Sequence, residues 1–203
     1  TGPDRARILY GGTRIDGDFE FEADFQWRSG SGMECIFVLA ATAYSDGYEV
    51  LLRGRGINDL RLDRAGSVLA NTPLGFTPEY YRTYRFKVRR TGGWLHMWVD
   101  GRLLMSFHDA GALSGYCGFS DYCCEVAFDN VRIRNLRTAN RAAFAPWTED
   151  FEIGSAAEWL PAWAGTWAIT NTAPLTGGYS LHQTDTGNDR ARLMHRRILP
   201  INV

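Results

Sequence analysis

The sequence predicts an all-β protein, an antiparallel β-sandwich of jelly-roll type with no long helix. Apolar and polar residues alternate with the period of a strand over residues 19–27. Apolar stretches then recur roughly every 8–15 residues, separated by turn signals such as Asp100-Gly101. The 7 Trp, 9 Tyr and 11 Phe residues favour strands, and the 22 Gly residues favour tight turns.

The first 136 residues contain most of the expected strands. In residues 19–27 the aromatic side chains face inward, whereas Glu20, Glu22 and Asp24 face outward. Further strands or hairpins are expected at residues 35–43, 46–54, 58–71, 83–90, 94–107, 114–119 and 124–136. The inward positions of the last strand are Val126, Phe128, Val131 and Ile133, with a change of face near Asp129-Asn130.

A break in the pattern follows. Residues 137–148 are polar and then rich in Ala and Pro, which indicates a linker. After it, residues 149–159, 165–170, 179–185 and 191–199 are typical of a second set of short strands.

The same short phrase occurs near both ends of the chain. TGPDRAR at residues 1–7 and TGNDRAR at residues 186–192 agree at six of seven positions, 185 residues apart. A period of this length is one domain long. We therefore expect residues 1–136 to be the later three-quarters of one jelly-roll domain, and residues 149–203 to be the first strands of the next. Alternatively, residues 149–203 are strands donated to a neighbouring copy, or they fold back on their own chain as in a circular permutant.

Several phrases resemble a known superfamily when they are read in the order that the repeat implies. They are EDFE, GTWAIT and YSLHQTDTG, followed by FEFEADFQW, WVDGRL and FDNVRI. They resemble the concanavalin A-like (laminin-G-like) jelly rolls, in particular secreted bacterial units that begin with a DDFE…GTW strand and end with FDNVRI. The resemblance covers nearly the whole chain in permuted order. It implies the fold more strongly than a function, because this fold serves lectins, adhesion modules, glycosidase appendages and a few hydrolases.

Composition and motifs argue against several functions. A net charge of −1 gives no reason to expect nucleic acid or an anionic membrane as a partner. The sequence has no run of about 18 apolar residues, which is the length that would predict a membrane-spanning helix. Glucanases of the superfamily carry E-x-D-x-x-E on one strand, but here Glu20, Glu22 and Asp24 are expected on a solvated face. The four His residues are scattered, so we expect no enzyme activity.

A structural calcium ion is a possible cofactor. In many relatives the acids of the first strand meet the acid of the closing strand near one calcium ion. The resemblance assigns these positions to Asp150, Glu152 and Asp129. The alternative is that Asp129-Asn130 forms a β-bulge and that Asp150 caps a strand.

Carbohydrate binding is indicated by aromatic residues at loops and strand ends, where rings stack on sugars. The candidates are Tyr48, Tyr80, Tyr81 and Trp94, with Arg53, which is expected to line a concave face or else to be solvated. The pair Tyr80-Tyr81 has the most exposed setting. The alternative is that these aromatic residues pack in the core or at sheet edges.

The four cysteines are Cys35, Cys117, Cys123 and Cys124. None forms a C-x-x-C motif, so a zinc site is not expected. All four are candidates for disulfides, in any of three full pairings, and Cys117 could be bridged to Cys123 or Cys124 across an expected turn at residues 118–122. The alternative is four buried thiols.

The sequence thus favours a non-catalytic, extracellular structural or adhesive β-sandwich. Its expected partners are copies of itself or adjacent repeats, and one form of this role is a fibre subunit assembled head to tail by strand complementation. A carbohydrate-binding module of a secreted polysaccharide-degrading system is the alternative, with glycans as partners, and a sugar hydrolase of the same fold is a weaker one.

Overall fold

Antiparallel strands make up most of the described chain. The computed structural model describes residues 6–9, 14–42, 46–136, 147–149, 151, 167–172 and 174–183. The strands are β1 (Ala6–Leu9), β2 (Ile15–Asp16), β3 (Phe19–Ala41), β4 (Tyr48–Arg53), β5 (Asp59–Arg64), β6 (Ser67–Pro73), β7 (Tyr84–Thr91), β8 (Trp94–Val99), β9 (Arg102–His108), β10 (Ser114–Asn135), β11 (Trp147–Glu149), β12 (Trp167–Thr170) and β13 (Ser180–Gln183). The predicted all-β class is confirmed. No helix within the described ranges is long and apolar enough to cross a membrane.

Two long strands, β3 and β10, organise the fold. They pair with each other from Phe19 opposite Asn135 to Ala41 opposite Tyr116, with several bulges between. The first half of β3 also pairs with β7, and its second half pairs with β4. We call β9-β8-β7-β3-β10-β13-β12 the first sheet, and β6-β5-β4-β3-β10-β1 the second sheet. Both sheets share β3 and β10, which pass from one to the other.

The core lies between the two sheets. Phe21 and Phe37 are on the same strand, yet their ring centroids are 5.8 Å apart. Phe37 also packs on Phe86 of β7, with 4.1 Å between the ring centroids, and Phe119 stacks on Phe128 with 4.0 Å between the ring centroids. All five rings are fully buried. The inward alternation predicted for residues 19–27 and for the end of β10 is therefore present.

Both long strands are continuous at positions where the sequence pattern predicts a break. Residues 118–122 were expected to turn, but they are continuous β10. Residues 28–34, rich in Gly and Ser, are likewise part of β3. Gly30 has φ +124°, and a Cβ there would lie 2.4 Å from the Cys123 carbonyl oxygen. Glycine is needed here because the two strands approach closely as they bend between the sheets.

The C-terminal strands pair within their own chain. β13 pairs with β10 through Ser180–Gln183, in the register Gln183 opposite Val126, and β12 pairs with β13. β11 pairs with β10 and begins at Trp147, inside the expected linker. The strand expected at residues 191–199 lies outside the described residues. The division into two repeats remains a prediction.

Candidate functional site

An open pocket lies on the first sheet, where β3, β10, β13 and β12 run side by side. We call it the edge pocket. Its volume is about 360 Å³, within the range of small-ligand sites. The residues that line it are Arg28, Tyr81, Glu125, Ala168, Thr170, Thr172 and His182.

Tyr81 stands at this pocket with 67% of its surface exposed. Its backbone has φ +61°, which is unfavourable for a tyrosine. Two hydrogen bonds hold it: the Tyr81 N–H donates to the Trp27 carbonyl at 2.8 Å, and the Gln26 side chain donates to the Tyr81 carbonyl at 2.8 Å. The ring is thus presented to solvent from a backbone that β3 fixes. Strained positions of this kind are concentrated at binding sites.

The polar wall of the pocket combines a cation, an anion and an imidazole. Arg28 and His182 are buried at 8% and 4% exposure. Burial lowers the pKa of Arg28, and nearby Glu125 opposes that effect. Glu125 accepts a hydrogen bond from the Ser29 hydroxyl at 3.0 Å and lies 3.7 Å from His182 Nδ1.

His182 is a neutral imidazole at ordinary pH. Burial, with a smaller contribution from the Arg28 charge, lowers its pKa to about 4. A neutral ring has one donor nitrogen and one acceptor nitrogen. Its Nε2 has no hydrogen-bond partner among the described residues. This buried polar atom is available to a ligand in the pocket.

Asp129 anchors the segment that leads into β13. Its carboxylate accepts hydrogen bonds from the Thr176 N–H at 3.1 Å, the Thr176 hydroxyl at 2.8 Å and the Ser180 hydroxyl at 3.2 Å. It also accepts one from the Asn130 N–H at 2.7 Å. Burial raises its pKa, although these hydrogen bonds oppose the rise. Asp129 thereby fixes the strand that carries His182.

These contacts bear on the predicted calcium site. The register shift between Asp129 and Arg132 is the bulge offered as the alternative role of Asp129-Asn130. The described residues contain no group of three or more His, Cys, Asp or Glu side chains suited to a metal ion. Asp150 and Glu152 lie outside the described residues. The calcium ion remains a prediction.

A second concavity lies on the outer face of β3, β7 and β8, and we call it the strand-face groove. Its volume is about 310 Å³. Glu22, Arg85, Lys87, Arg89, Trp98 and Gly101 line it. Asp24 accepts two hydrogen bonds from Arg85 at 2.7 and 2.8 Å, and Lys87 Nζ lies 2.8 Å from Glu20.

The acidic alternation of β3 was expected on a solvated face, and this expectation needs correction. Glu20 and Asp24 point away from the core, but their side chains are only 7% exposed. Arg85, Lys87 and Arg134 cover and pair with them. The carboxylates therefore contribute to a cross-strand ladder of opposite charges.

The aromatic candidates are distributed over different parts of the fold. Trp94 is 47% exposed and packs on His108, with ring centroids 4.9 Å apart, beyond the groove. Tyr80 is 36% exposed, and its hydroxyl lies 3.2 Å from the Gly30 carbonyl oxygen. Tyr48 is fully buried, because its ring is on the inward face of β4, and its hydroxyl bonds to Asp109. It is a core residue, as the alternative held.

Arg53 is on the other side of the molecule, on the outer face of the second sheet. Its guanidinium donates two hydrogen bonds to Asp59, at 2.8 and 2.6 Å. Of the predicted sugar-binding residues, only Tyr81 therefore lines the edge pocket.

All four cysteines are buried, and none of them forms a disulfide in the structure. Cys117 and Cys123 lie on one continuous strand, so six positions of about 3.3 Å separate them, far beyond the reach of a disulfide. The bridge across a turn is therefore wrong, because the turn does not exist. The Cys124 thiol donates to the Glu34 carbonyl at 3.3 Å, and burial raises the pKa of Cys117 to about 12.

Comparisons with known proteins identify the architecture. No protein-family model matches the chain, and no curated protein matches its sequence. Among solved structures, it is similar to the carbohydrate-binding module CBM66 from Bacillus subtilis, with a TM-score of 0.56 and 19% identity over 66% of this chain and 83% of that one. It is also similar to a Bacillus subtilis protein of unknown function with a galectin-like fold, with a TM-score of 0.54 and 15% identity over 65% and 79% of the two chains.

At these identities the likeness shows the fold alone. It confirms the antiparallel β-sandwich and is consistent with the concanavalin A-like architecture that the motifs resemble. The pocket residues Arg28, Glu125 and His182 were missed in the sequence. Each is an ordinary polar residue on its own strand, and only the pairing of β3, β10 and β13 brings them together.

Proposed function

We propose that this protein is an extracellular, non-catalytic carbohydrate-binding β-sandwich that holds a glycan in the edge pocket. The observation that carries the proposal is the exposed Tyr81 ring beside buried, hydrogen-bonding groups in one concavity. Glycan recognition needs both kinds of surface: the apolar face of a sugar ring packs on an aromatic ring, while its hydroxyls need polar partners.

The polar wall suits a ligand rich in hydroxyl groups. Arg28 only donates hydrogen bonds, and the Glu125 carboxylate only accepts them. Neutral His182 and the hydroxyl of Thr170 each do both. A sugar hydroxyl is itself both donor and acceptor, so this set can bind several adjacent hydroxyls. Burial of Arg28 and His182 increases the strength of such contacts.

The same residues favour binding over hydrolysis. Glycoside hydrolysis ordinarily uses two carboxyl groups that flank the scissile bond. Of the described residues that line the edge pocket, Glu125 alone carries a carboxyl group. The fold adds support, since the structural neighbours above include a carbohydrate-binding module.

A role as an adhesive or fibre subunit remains a prediction from the repeated phrase. β11 and β13 pair with β10 of the same chain, so these strands need no partner strand from a neighbouring molecule. Glycan binding is therefore the function that we put first.

A glycan array with the full chain, followed by calorimetry on the best ligand, tests the proposal. Tyr81→Asn removes the ring while keeping a residue that tolerates positive φ, and we expect at least about a tenfold loss of affinity, or about 1.4 kcal/mol. Tyr80→Ala is the matched control, because Tyr80 is adjacent and exposed but does not line the pocket. Unchanged affinity in Tyr81→Asn, or no glycan bound at all, would contradict the proposal.

A further inference from the structure

One edge of β10 carries four short strands in a row. β11 pairs at Val131–Ile133, β13 at Val126–Phe128, β1 at Gly118–Asp121 and β2 at Ser114–Gly115. All four are antiparallel to β10, and β3 occupies its other edge. A chain running along this edge would thus pass from β11 to β13, then to the position of β1, and then to β2.

The chain order along this edge is interrupted between β13 and β1. β13 ends at Gln183, whereas the next strand on the edge, β1, comes from the N-terminal region. Yet the sequence that follows β13 repeats the β1 phrase. Residues 186–192 are TGNDRAR, and the repeat aligns Ala191 with Ala6 of β1. The residues that continue from β13 therefore have the sequence of the strand that occupies the next position.

We propose that the β10 edge at Gly118–Asp121 is a strand-binding slot with two alternative occupants. One is β1, and the other is residues 191–194 of the same molecule. In the second state Ala191 pairs opposite Asp121, as Ala6 does in the first. The partner of this surface is thus a named segment of the chain itself, and the slot recognises the shared sequence ARIL or ARLM.

The length of the chain permits the second state. Gln183 lies opposite Val126, and the slot begins opposite Asp121, five positions further along β10. Eight residues lead from Gln183 to Ala191, at about 3.3 Å each when extended. These eight residues are three more than the five positions that they must span, and the stretch contains Gly187, where a bulge is easily accommodated. Because the segment is tethered beside the slot, its effective concentration there is high.

The stoichiometry argues for exchange within one molecule. Among the described strands of residues 1–203 there is one such slot, and two segments of this sequence fit it. Exchange between molecules replaces one occupied slot by another and gains no pairing, so it does not drive assembly. An edge strand also needs a partner, since an empty slot exposes backbone N–H and C=O groups. Two occupants therefore make this edge tolerant of the loss of either one.

Paired proline substitutions in the full chain test the proposal. Adjacent strand residues alternate between bonded and non-bonded positions, so two consecutive prolines remove at least one ladder hydrogen bond. The β1 variant carries Arg7→Pro and Ile8→Pro, and the matched variant carries Arg192→Pro and Leu193→Pro. We expect each variant alone to lower the melting temperature by less than about 3 °C, and the combined variant by about 8 °C or more.

The outcomes separate the alternatives. A loss in the β1 variant as large as that in the combined variant would overturn the proposal, because the second segment would then not replace β1. Strictly additive losses would overturn it too. Sedimentation of the β1 variant should show a monomer, and a concentration-dependent oligomer would overturn the assignment to the same molecule. Glycan binding is measured in parallel, so failure of this inference is distinguishable from failure of the proposed function.

Discussion

The edge pocket and the strand-face groove lie on the same sheet and have similar volumes, about 360 and 310 Å³, but their polar groups differ in how they are satisfied. In the groove, the basic residues Arg85 and Lys87 are paired with Asp24 and Glu20 of the neighbouring strand β3. In the edge pocket, His182 keeps a buried nitrogen without a partner in the described part of the chain, and Tyr81 projects into solvent. Satisfied charges stabilise a sheet, whereas unsatisfied groups are available to a ligand.

The largest effect is expected from Asp129, which anchors the pocket's β13 wall. Asp129→Ala leaves the N–H and hydroxyl of Thr176 and the hydroxyl of Ser180 without their acceptor. We expect a loss of about 3 kcal/mol in the free energy of unfolding, measured by urea denaturation, together with weaker glycan binding.

Asp129→Asn is the matched control for this variant. It keeps one carbonyl acceptor and removes the cost of burying a charge, which is the effect that raises the pKa of Asp129. We expect a loss of about 1 kcal/mol. If the alanine variant were no less stable than the asparagine variant, Asp129 would not anchor this segment, and the comparison between pocket and groove would lose its structural basis.

The anchoring role of Asp129 shows what the sequence does and does not contain. The bulge at Asp129-Asn130 could be anticipated, because the apolar alternation changes phase there between Phe128 and Val131. The partners Thr176 and Ser180 could not, since they are about 50 residues away and nothing local relates them to Asp129. Sequence pattern indicates which face of a strand is buried, but not which strand lies beside it.

The long strands show a related limit. Residues 28–34 contain Gly30 and Gly32 and have the composition of a turn. In the fold these glycines allow β3 to lie very close to its neighbour β10. A Cβ at Gly32 would be only 2.6 Å from the Tyr122 carbonyl oxygen. The exposure of Tyr81 could be predicted, because it lies in the polar segment PEYYRTY between two strands. Its neighbours Arg28 and His182 depend on the order of strands in the sheet.

A second effect, of comparable size, is a pH dependence that comes from His182 in the pocket. Its pKa is about 4 in the folded protein, against an ordinary value of 6.5. Below pH 6.5 the unfolded chain binds a proton that the folded chain does not bind until about pH 4. Stability therefore falls as the pH is lowered from 6.5 to 4, by about 3 kcal/mol from this group, and little further below that.

His182→Gln is the variant that isolates this contribution. Glutamine keeps a donor and an acceptor but does not titrate in this range. The difference in unfolding free energy between wild type and variant, measured at several pH values from 7 to 4, should change in that window. If this difference in unfolding free energy did not change with pH, the pKa of His182 would not be lowered in the folded protein. His182 would then not be the buried, unsatisfied group that distinguishes the edge pocket from the groove.

The smallest effect is expected in the groove, and it tests the difference between the groove and the edge pocket directly. Lys87→Met keeps much of the aliphatic side chain, which lies near the Trp98 ring, but removes the ammonium group that pairs with Glu20. Glu20 retains Arg134 as a partner, so we expect a loss of only about 1 kcal/mol in unfolding free energy. Affinity for the glycan should not change, because Lys87 is on the face of β7 and does not line the edge pocket. If glycan affinity fell in Lys87→Met but not in Tyr81→Asn, the binding site would lie in the groove. The pairing of charges would then not indicate where this sandwich binds its ligand.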